Sequence, residues 1–106
     1  MSTVESTLLE PAAAKTRPAP LWNVVLLDDD DHTYEYVIEM LTKIFRHDLQ
    51  RAFKMAQEVD RSGRVIVDTT ARETAELRRE QILSYGPDPR IPKCKGSMSA
   101  VIEPAN

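Results

Sequence analysis

The sequence contains few of the residues on which nucleotide-binding, disulfide-bonded and membrane-spanning proteins depend. Its three glycines stand at positions 63, 86 and 96, a spacing that excludes a glycine-rich phosphate-binding loop. The single cysteine, Cys94, cannot form an internal disulfide, which fits a reducing compartment. The longest apolar runs, residues 22–27 and 99–102, fall far short of the roughly 20 residues that span a membrane. The N-terminus also lacks the charged-then-apolar pattern of a signal peptide, so we expect a soluble cytoplasmic protein.

Basic charge is not in excess, and the chain is short. The net charge is −3 and basic residues alternate with acidic ones, which argues against nucleic acid as a primary partner. At 106 residues the chain is about one domain long, with no room for separate cofactor-binding and substrate-binding halves. No serine stands in a nucleophile-elbow context. We therefore expect one small domain with no cofactor and no catalytic residues.

The N-terminal residues 1–20 differ in composition from the rest of the chain. They are rich in Ser, Thr, Ala and Pro and contain almost no large apolar side chains. Pro11, Pro18 and Pro20 exclude a continuous helix or a paired strand in this segment. We expect a flexible tail over residues 1–20 and a folded domain over residues 21–106. A working role for the tail and a plain disordered leader are both open interpretations.

From Leu21 onward the apolar pattern predicts strands and helices. Short runs rich in β-branched residues predict strands at residues 22–27 and 65–67, and alternation predicts a last strand at residues 98–102. Thr33 and Asp48 are suitable N-caps for two helices. The apolar stripe of the first helix comprises Tyr34, Val37, Ile38, Leu41, Ile44 and Phe45. The stripe of the second comprises Ala52, Phe53, Ala56 and Val59.

A third helix follows the second predicted strand. Thr70 and Glu73 have the spacing of a capping box, in which each side chain satisfies an unpaired backbone donor. The helix is expected to run to about Tyr85, and Gly86 is suited to a left-handed cap. The resulting order is β-α-α-β-α-β, which predicts an α+β fold with helices covering a small sheet.

Four consecutive aspartates, Asp28 to Asp31, follow the first predicted strand. Carboxylates bunched at the end of a buried strand repel one another unless a cation lies among them. Three interpretations compete: a solvated loop tip, a metal or phosphoryl-acceptor site, and a seat for an organic cation such as an ammonium group. The second would make the chain a receiver-like domain, with Asp68 as a further acid. A receiver fold needs five strand–helix repeats, and the pattern after Asp68 supplies one helix and one strand, so this interpretation is disfavoured.

The remaining reactive side chains carry weak signals. His32 and His47 lack a paired ligand spacing, so surface or capping roles are favoured over metal binding. Cys94 lies in a Pro- and Lys-rich loop with no obvious histidine partner in the sequence, which argues against a catalytic nucleophile. We therefore expect no metal site and no enzymatic activity.

The run Trp22-Asn23-Val24-Val25-Leu26-Leu27-Asp28-Asp29-Asp30 resembles the strand and turn of ClpS adaptors, in which an aromatic residue and an apolar strand precede Asn-Asp-Asp. Further positions match in the same order and at similar spacing: residues 35–38, Leu41, Ala52, Val59, Gly63, and residues 73–76 and 102–105. The match extends over about residues 21–105. The chain is therefore similar to the ClpS family.

The resemblance implies an α+β fold with a small antiparallel sheet, similar to ClpS and to the C-terminal domain of the ribosomal stalk protein. It also implies a protein without catalytic activity or cofactor. ClpS adaptors bind the α-amino group of a destabilising N-terminal residue, dock on the N-terminal domain of a AAA+ Clp unfoldase, and deliver the substrate for degradation. Their flexible N-terminal extension takes part in delivery, a role that residues 1–20 would have here.

The resemblance assigns three roles to individual positions of this sequence. The amine-binding positions are Asp28, Asp30 and Asp60. The side-chain pocket positions are Leu27, Tyr34, Val37, Ala56, Val59 and Met98. The unfoldase-docking positions are Glu73 and Arg78.

The amine-binding positions depart from the family pattern, which has Asn at the position of Asp28 and His at the position of Asp60. An Asn–Asp–His set offers one formal negative charge to one ammonium, whereas Asp28, Asp30 and Asp60 offer three. We therefore expect amine binding that depends strongly on salt and weakens as acid protonates the carboxylates. Bulky apolar N-terminal residues (Phe, Tyr, Trp, Leu) are the expected ligands, and a basic residue is the alternative. The departures also leave open a module that docks on the unfoldase as a regulator without binding N-degrons.

Overall fold

The computed structural model describes residues 19–29, 31–94 and 96–106. Within these ranges the elements are, in chain order, β1 (Leu21–Leu27), α1 (Tyr34–Phe45), α2 (Leu49–Ser62), β2 (Arg64–Ala71), α3 (Arg72–Leu83) and β3 (Ser99–Pro104). The order β-α-α-β-α-β and the α+β class are those predicted from the sequence. None of these helices combines the length and the apolar composition that a membrane span requires.

The described strands form one antiparallel sheet in the order β2-β1-β3, so β1 is paired on both sides. Val24 lies opposite Ile102, and Leu26 lies opposite Ala100, across the β1–β3 pair. Because side chains alternate along a strand, these two β1 residues point to the same face, where both are fully buried against the helices. A register shift after Val24 interrupts the pairing of β1 with β2.

The core lies between this face of the sheet and the helices. Its buried members are Val24, Leu26, Tyr36, Val37, Met40, Leu41, Ala52, Ala56, Val59, Val65, Val67, Ala75, Ile82, Met98 and Ala100. Burial raises the pKa of the Tyr36 hydroxyl. That hydroxyl donates to the carbonyl oxygen of Gly86 at 2.6 Å, so the buried ring has its polar atom satisfied.

Local hydrogen bonds begin and end the first two helices. Thr33 and Asp48 each accept a hydrogen bond from the backbone N–H three residues ahead, at 3.1 and 2.8 Å, which confirms both predicted N-caps. The C-cap of α2 is Gly63, whose φ of 84° lies in the left-handed region that favours glycine. The C-cap of α1 is Arg46, which adopts a left-handed φ of 61°.

The predicted apolar stripes of α1 and α2 are partly wrong. Phe53, assigned to the core stripe of α2, is 45% exposed, and Tyr34 at the start of α1 is 36% exposed. Tyr36 and Met40 are buried on α1 instead. An amphipathic helix presents one stripe to the core, and the packing of neighbouring elements decides which of several apolar side chains occupy it.

Thr70 and Glu73 do not form the predicted capping box. Thr70 is paired within β2, and the N-cap of α3 is Ala71, which makes no side-chain capping hydrogen bond. The strand is extended because pairing with β1 continues to Ala71, so Thr70 does not stand at a helix start. At the other end the C-cap of α3 is Ser84, and Gly86, with a φ of 106°, lies beyond it.

Candidate functional site

Asp28 and Asp60 come from different elements that one backbone hydrogen bond holds together. The N–H of Asp28 donates to the carbonyl oxygen of Gly63 at 3.0 Å, which ties the end of β1 to the end of α2, where Asp60 lies. Gly63 is the C-cap of α2, three residues after Asp60, so the backbone of Asp28 lies about one helical turn from Asp60. Two of the three predicted amine-binding positions are therefore neighbours. The third, Asp30, lies outside the described residues.

Tyr34 contacts Asp60 directly. Its hydroxyl donates to Oδ2 of Asp60 at 3.0 Å, and its ring packs edge-on against Phe53, with ring centroids 6.0 Å apart. The pKa of Tyr34 is raised chiefly by this hydrogen bond, with further contributions from desolvation and from the charges of Asp60 and Asp28. Tyr34 therefore covers part of the Asp60 carboxylate and borders the candidate site on the α1 side.

The six predicted pocket positions differ in burial. The four buried positions, which belong to the core cluster, are Val37, Ala56, Val59 and Met98. Leu27 is half-buried, and Tyr34 lies at the surface. Val59 directly precedes Asp60 on α2, and Val37 lies one turn after Tyr34 on α1. The buried apolar positions therefore adjoin the polar side chains of Asp60 and Tyr34. Of the six pocket positions, Leu27 and Tyr34 are the ones open to a ligand at the surface.

An exposed apolar surface that sequence reasoning did not assign adjoins Tyr34. It consists of Phe53 and of Leu49, which is 70% exposed one turn earlier on α2. Residues at this four-residue spacing lie on the same face of a helix. The sequence shows this spacing, but the same spacing also fits the core stripe predicted for α2, which includes Phe53.

His32 and Cys94, which are 62 positions apart, lie in contact beside the turn that follows β1. Nδ1 of His32 is 2.8 Å from Oδ1 of Asp29, and Nε2 is 2.8 Å from the carbonyl oxygen of Gly96. Sγ of Cys94 is 3.4 Å from the same Nε2. The side chain of His32 is therefore not at the surface, one of the two roles favoured from the sequence, and Cys94 has a histidine neighbour that the sequence did not reveal, because the loop after α3 folds back onto this turn. The described residues contain no group of three or more His, Cys, Asp or Glu side chains arranged to hold a metal ion.

Asp88 attaches the loop after α3 to the start of α1. Its buried carboxylate accepts hydrogen bonds from the N–H and the hydroxyl of Thr33, both at 2.9 Å, and from the N–H and guanidinium of Arg90, at 3.0 and 3.2 Å. Burial alone raises the pKa of Asp88, but these four hydrogen bonds outweigh it and lower the pKa to about 2. Sequence reasoning missed this residue because two flanking prolines indicate only a turn.

Glu73 and Arg78, the predicted docking positions, both lie on α3. Glu73 is exposed in the first turn, and the half-buried Arg78 donates to Oε1 of Gln81 at 2.9 Å. Five residues along a helix correspond to a rotation of about 140° from one side chain to the other, so the two face different directions. Arg78 also lines a cavity of about 520 Å³ together with Lys43 and Arg46 at the end of α1.

Several known proteins are similar to this chain. Residues 17–89 match the family described as ATP-dependent Clp protease adaptor protein ClpS. The ATP-dependent Clp protease adapter protein ClpS of Vibrio atlanticus (strain LGP32) is 33% identical over 87 residues, which cover 82% of this chain and 82% of that protein. The protein of the same name from Aromatoleum aromaticum (strain DSM 19018 / LMG 30748 / EbN1) is 33% identical over 78 residues, covering 74% and 76% respectively.

A solved structure shares the fold. The structure of Agrobacterium tumefaciens ClpS2 bound to L-phenylalaninamide aligns with a TM-score of 0.70 and 23% identity, covering 82% of this chain and 99% of that chain. The family match covers more than half of the present sequence, and the aligned segments cover most of the length of both relatives as well. The chain therefore belongs to the ClpS family of ATP-dependent Clp protease adaptor proteins.

Proposed function

We propose that the protein binds substrates through the α-amino group of a destabilising N-terminal residue and delivers them to a AAA+ Clp protease. The observation that supports this most directly is the backbone hydrogen bond that ties the end of β1, with Asp28, to the end of α2, with Asp60, beside an apolar group of α1 and α2. Carboxylates attract an ammonium group. The adjoining apolar residues suit the side chain of an N-terminal residue, which is attached to the same Cα atom as the ammonium group. The related ClpS2 structure holds L-phenylalaninamide, a ligand that combines these two features.

The amine-binding part of the proposed site consists of Asp28, Asp30 and Asp60. At 4 Å a carboxylate and an ammonium attract each other by about 1 kcal/mol in water and about 4 kcal/mol where the effective dielectric constant is near 20. One ammonium does not neutralise three carboxylates, so negative charge remains in surplus. The Tyr34 hydroxyl offsets part of that surplus at Asp60. Binding should weaken with added salt and with a fall in pH toward the range where carboxylates protonate.

The side-chain part of the proposed site has a restricted mouth and a small residue at its base. Tyr34 would place a ring at the mouth, and the small side chain of Ala56 would stand at the base. The other positions, Val37 and Val59, are purely apolar. These properties favour bulky apolar N-terminal residues, namely Phe, Tyr, Trp and Leu. A basic N-terminal residue is the alternative, because the acidic surplus would attract its side chain.

Delivery is proposed to require the N-terminal domain of a Clp unfoldase. Glu73 and Arg78 are the proposed docking residues, and their different directions mean that the partner would contact α3 on more than one face. Residues 1–20 are proposed to act as the delivery tail of an adaptor domain formed by residues 21–106. The protein would act in the cytoplasm and have no catalytic activity of its own.

A regulator that docks on the unfoldase without binding N-degrons is the second candidate. The Tyr34–Asp60 hydrogen bond favours it, because the hydroxyl occupies a carboxylate oxygen that an incoming amine would need. The two functions make opposite predictions for peptides with a free amine.

Fluorescence anisotropy separates the two functions. Labelled peptides that begin with Leu, Phe, Trp, Arg or Met are each measured beside an N-acetylated control. We expect binding to require the free amine and to weaken about five- to tenfold in Asp60→Asn, the equivalent of about 1–1.4 kcal/mol. The matched control is Glu58→Gln, which removes one negative charge from an exposed position on the same helix. Equal weakening in both variants would contradict a specific role for Asp60, and no binding by any peptide would favour the regulator.

A further inference from the structure

A second polar cluster, centred on Cys94, lies between the turn after β1 and the loop after α3. Asp29, Asp31, His32, Cys94 and Gly96 contribute to the wall of a cavity of about 360 Å³. Cys94 is the single cysteine of the chain and is half-buried at this cavity. A nucleophilic side chain next to a histidine that a carboxylate orients has the arrangement of an activated nucleophile.

The imidazole of His32 is held in one orientation through both of its nitrogens. Nδ1 lies 2.8 Å from Oδ1 of Asp29, and Nε2 lies 2.8 Å from the carbonyl oxygen of Gly96. Carboxylate and carbonyl oxygens only accept hydrogen bonds, so the ring form that satisfies both is the imidazolium, which donates from both nitrogens. The side chain is only 3% exposed, and its ring packs against Tyr36 with centroids 4.4 Å apart. These contacts fix the donor nitrogen beside Cys94.

The sulfur of Cys94 lies near two N–H groups. The backbone N–H of Asp88 donates to Sγ at 3.2 Å, and Nε2 of His32, whose proton is shared with the nearer carbonyl oxygen of Gly96, lies 3.4 Å from Sγ. Both contacts stabilise a thiolate, because a negatively charged sulfur accepts hydrogen bonds more strongly than a neutral thiol does. The cavity wall also contains one cationic side chain, Lys93, and the carboxylates of Asp29 and Asp31. In the thiol form, the S–H has the carbonyl oxygen of Gly96 at 3.4 Å as its acceptor.

We propose that Cys94 is a modification site, a nucleophilic thiol that His32 and Asp29 activate toward hydrogen peroxide and other small electrophiles. In the reaction with peroxide, an electron pair of the thiolate attacks one peroxide oxygen, so an S–O bond forms while the O–O bond breaks. Sulfur loses two electrons and becomes a sulfenic acid. The second oxygen leaves as hydroxide and takes the Nε2 proton of His32, which yields water and a neutral imidazole.

The first test compares the folded protein with the urea-unfolded protein at pH 7. Alkylation of Cys94 by iodoacetamide is followed by mass spectrometry, and each rate is divided by that of a small reference thiol in the same buffer. Only a few per cent of the thiols in an unfolded chain are ionised at this pH. A stabilised thiolate is more abundant but less nucleophilic, so we expect the folded protein to react about three- to tenfold faster. A slower reaction in the folded protein would overturn the proposal, because burial without activation protects a thiol.

Two variants test the partners of the sulfur. His32→Gln removes the ring, and the rate advantage of the folded protein should disappear. Asp29→Asn retains the ring but removes its carboxylate, so the advantage should decrease, and this variant decides the question if His32→Gln does not fold. An unchanged rate in folded Asp29→Asn and His32→Gln would overturn the proposal.

After peroxide treatment, dimedone should label the sulfenic acid of the unaltered protein, with Cys94→Ser as the blank, and absence of labelling would refute the peroxide reaction.

Discussion

Replacement of Asp88 by asparagine should destabilise the fold, because each oxygen of the carboxylate already accepts two hydrogen bonds. Oδ2 accepts from the N–H and hydroxyl of Thr33, and Oδ1 accepts from the N–H and guanidinium of Arg90. In Asp88→Asn one of these oxygens becomes an amide nitrogen that donates, so two hydrogen bonds are lost and donors face each other. The side chain is buried, so water does not replace the lost partners. We expect a loss of about 2–3 kcal/mol in the free energy of unfolding at pH 7.

Part of this loss should depend on pH. The pKa of Asp88 is lowered from 3.8 to about 2, so the folded state favours the charged form more than the unfolded state does. The resulting stabilisation is fully present above the unfolded pKa and disappears as the pH falls through the folded pKa. The difference in pKa corresponds to about 2 kcal/mol, since a tenfold change in proton affinity is worth about 1.4 kcal/mol. Because the partner Arg90 is partly exposed and screened by water, we expect about 1–2 kcal/mol.

The assay is urea unfolding followed by the fluorescence of Trp22, the single tryptophan, at pH 6 and at pH 2.5. A pH of 2.5 is still above the folded pKa, so about two-thirds of this stabilisation is lost there and the stability gap between the unaltered protein and Asp88→Asn should shrink by roughly 1 kcal/mol. All other carboxylates titrate in both proteins and cancel in this comparison. Glu58→Gln, which changes an exposed acid, should show a gap near zero at both values. An equal gap for Asp88→Asn at both pH values would refute the assignment of the lowered pKa to its hydrogen bonds.

Two further predictions concern packing and the candidate site. Leu26→Ala empties a fully buried position of β1 and should lower the free energy of unfolding by about 2–5 kcal/mol, whereas Leu49→Ala, at an exposed position, should change it by less than about 0.5 kcal/mol in the same urea assay. A similar loss in both variants would contradict the burial difference. Tyr34→Phe removes the hydroxyl that occupies Asp60, so a peptide with a free amine should bind up to about fivefold more tightly in the anisotropy assay. Weaker binding would instead indicate that the hydroxyl contacts the ligand.

Local patterns were sufficient to predict the strands and helices to within a few residues. The caps at Thr33 and Asp48 and the β-branched run of β1 are examples. These signals are readable because they act between residues within about one helical turn or along one short strand. The family also followed from the sequence, since the order and spacing of the matching positions extend over most of the chain.

Local patterns were ambiguous where two residues, or two elements, had similar preferences for the same structural position. Tyr34 and Tyr36 are both aromatic, yet only Tyr36 is buried, because the helix can direct only one of them into the core. Thr70 and Glu73 have the spacing of a capping box, but pairing with β1 carries β2 past Thr70. In the second case a contact with another element outweighs a capping preference that is worth about 1 kcal/mol.

The polar clusters required the folded chain. Asp88 binds Thr33 across 55 positions, and Cys94 contacts His32 across 62. Neither separation has a periodicity or motif that marks the pair, because the two partners meet only where the loop after α3 returns to the start of α1. The amino-acid pattern thus specified the elements, the α+β class and the family, whereas the placement of a buried carboxylate and of a cysteine beside a histidine depended on packing between distant segments.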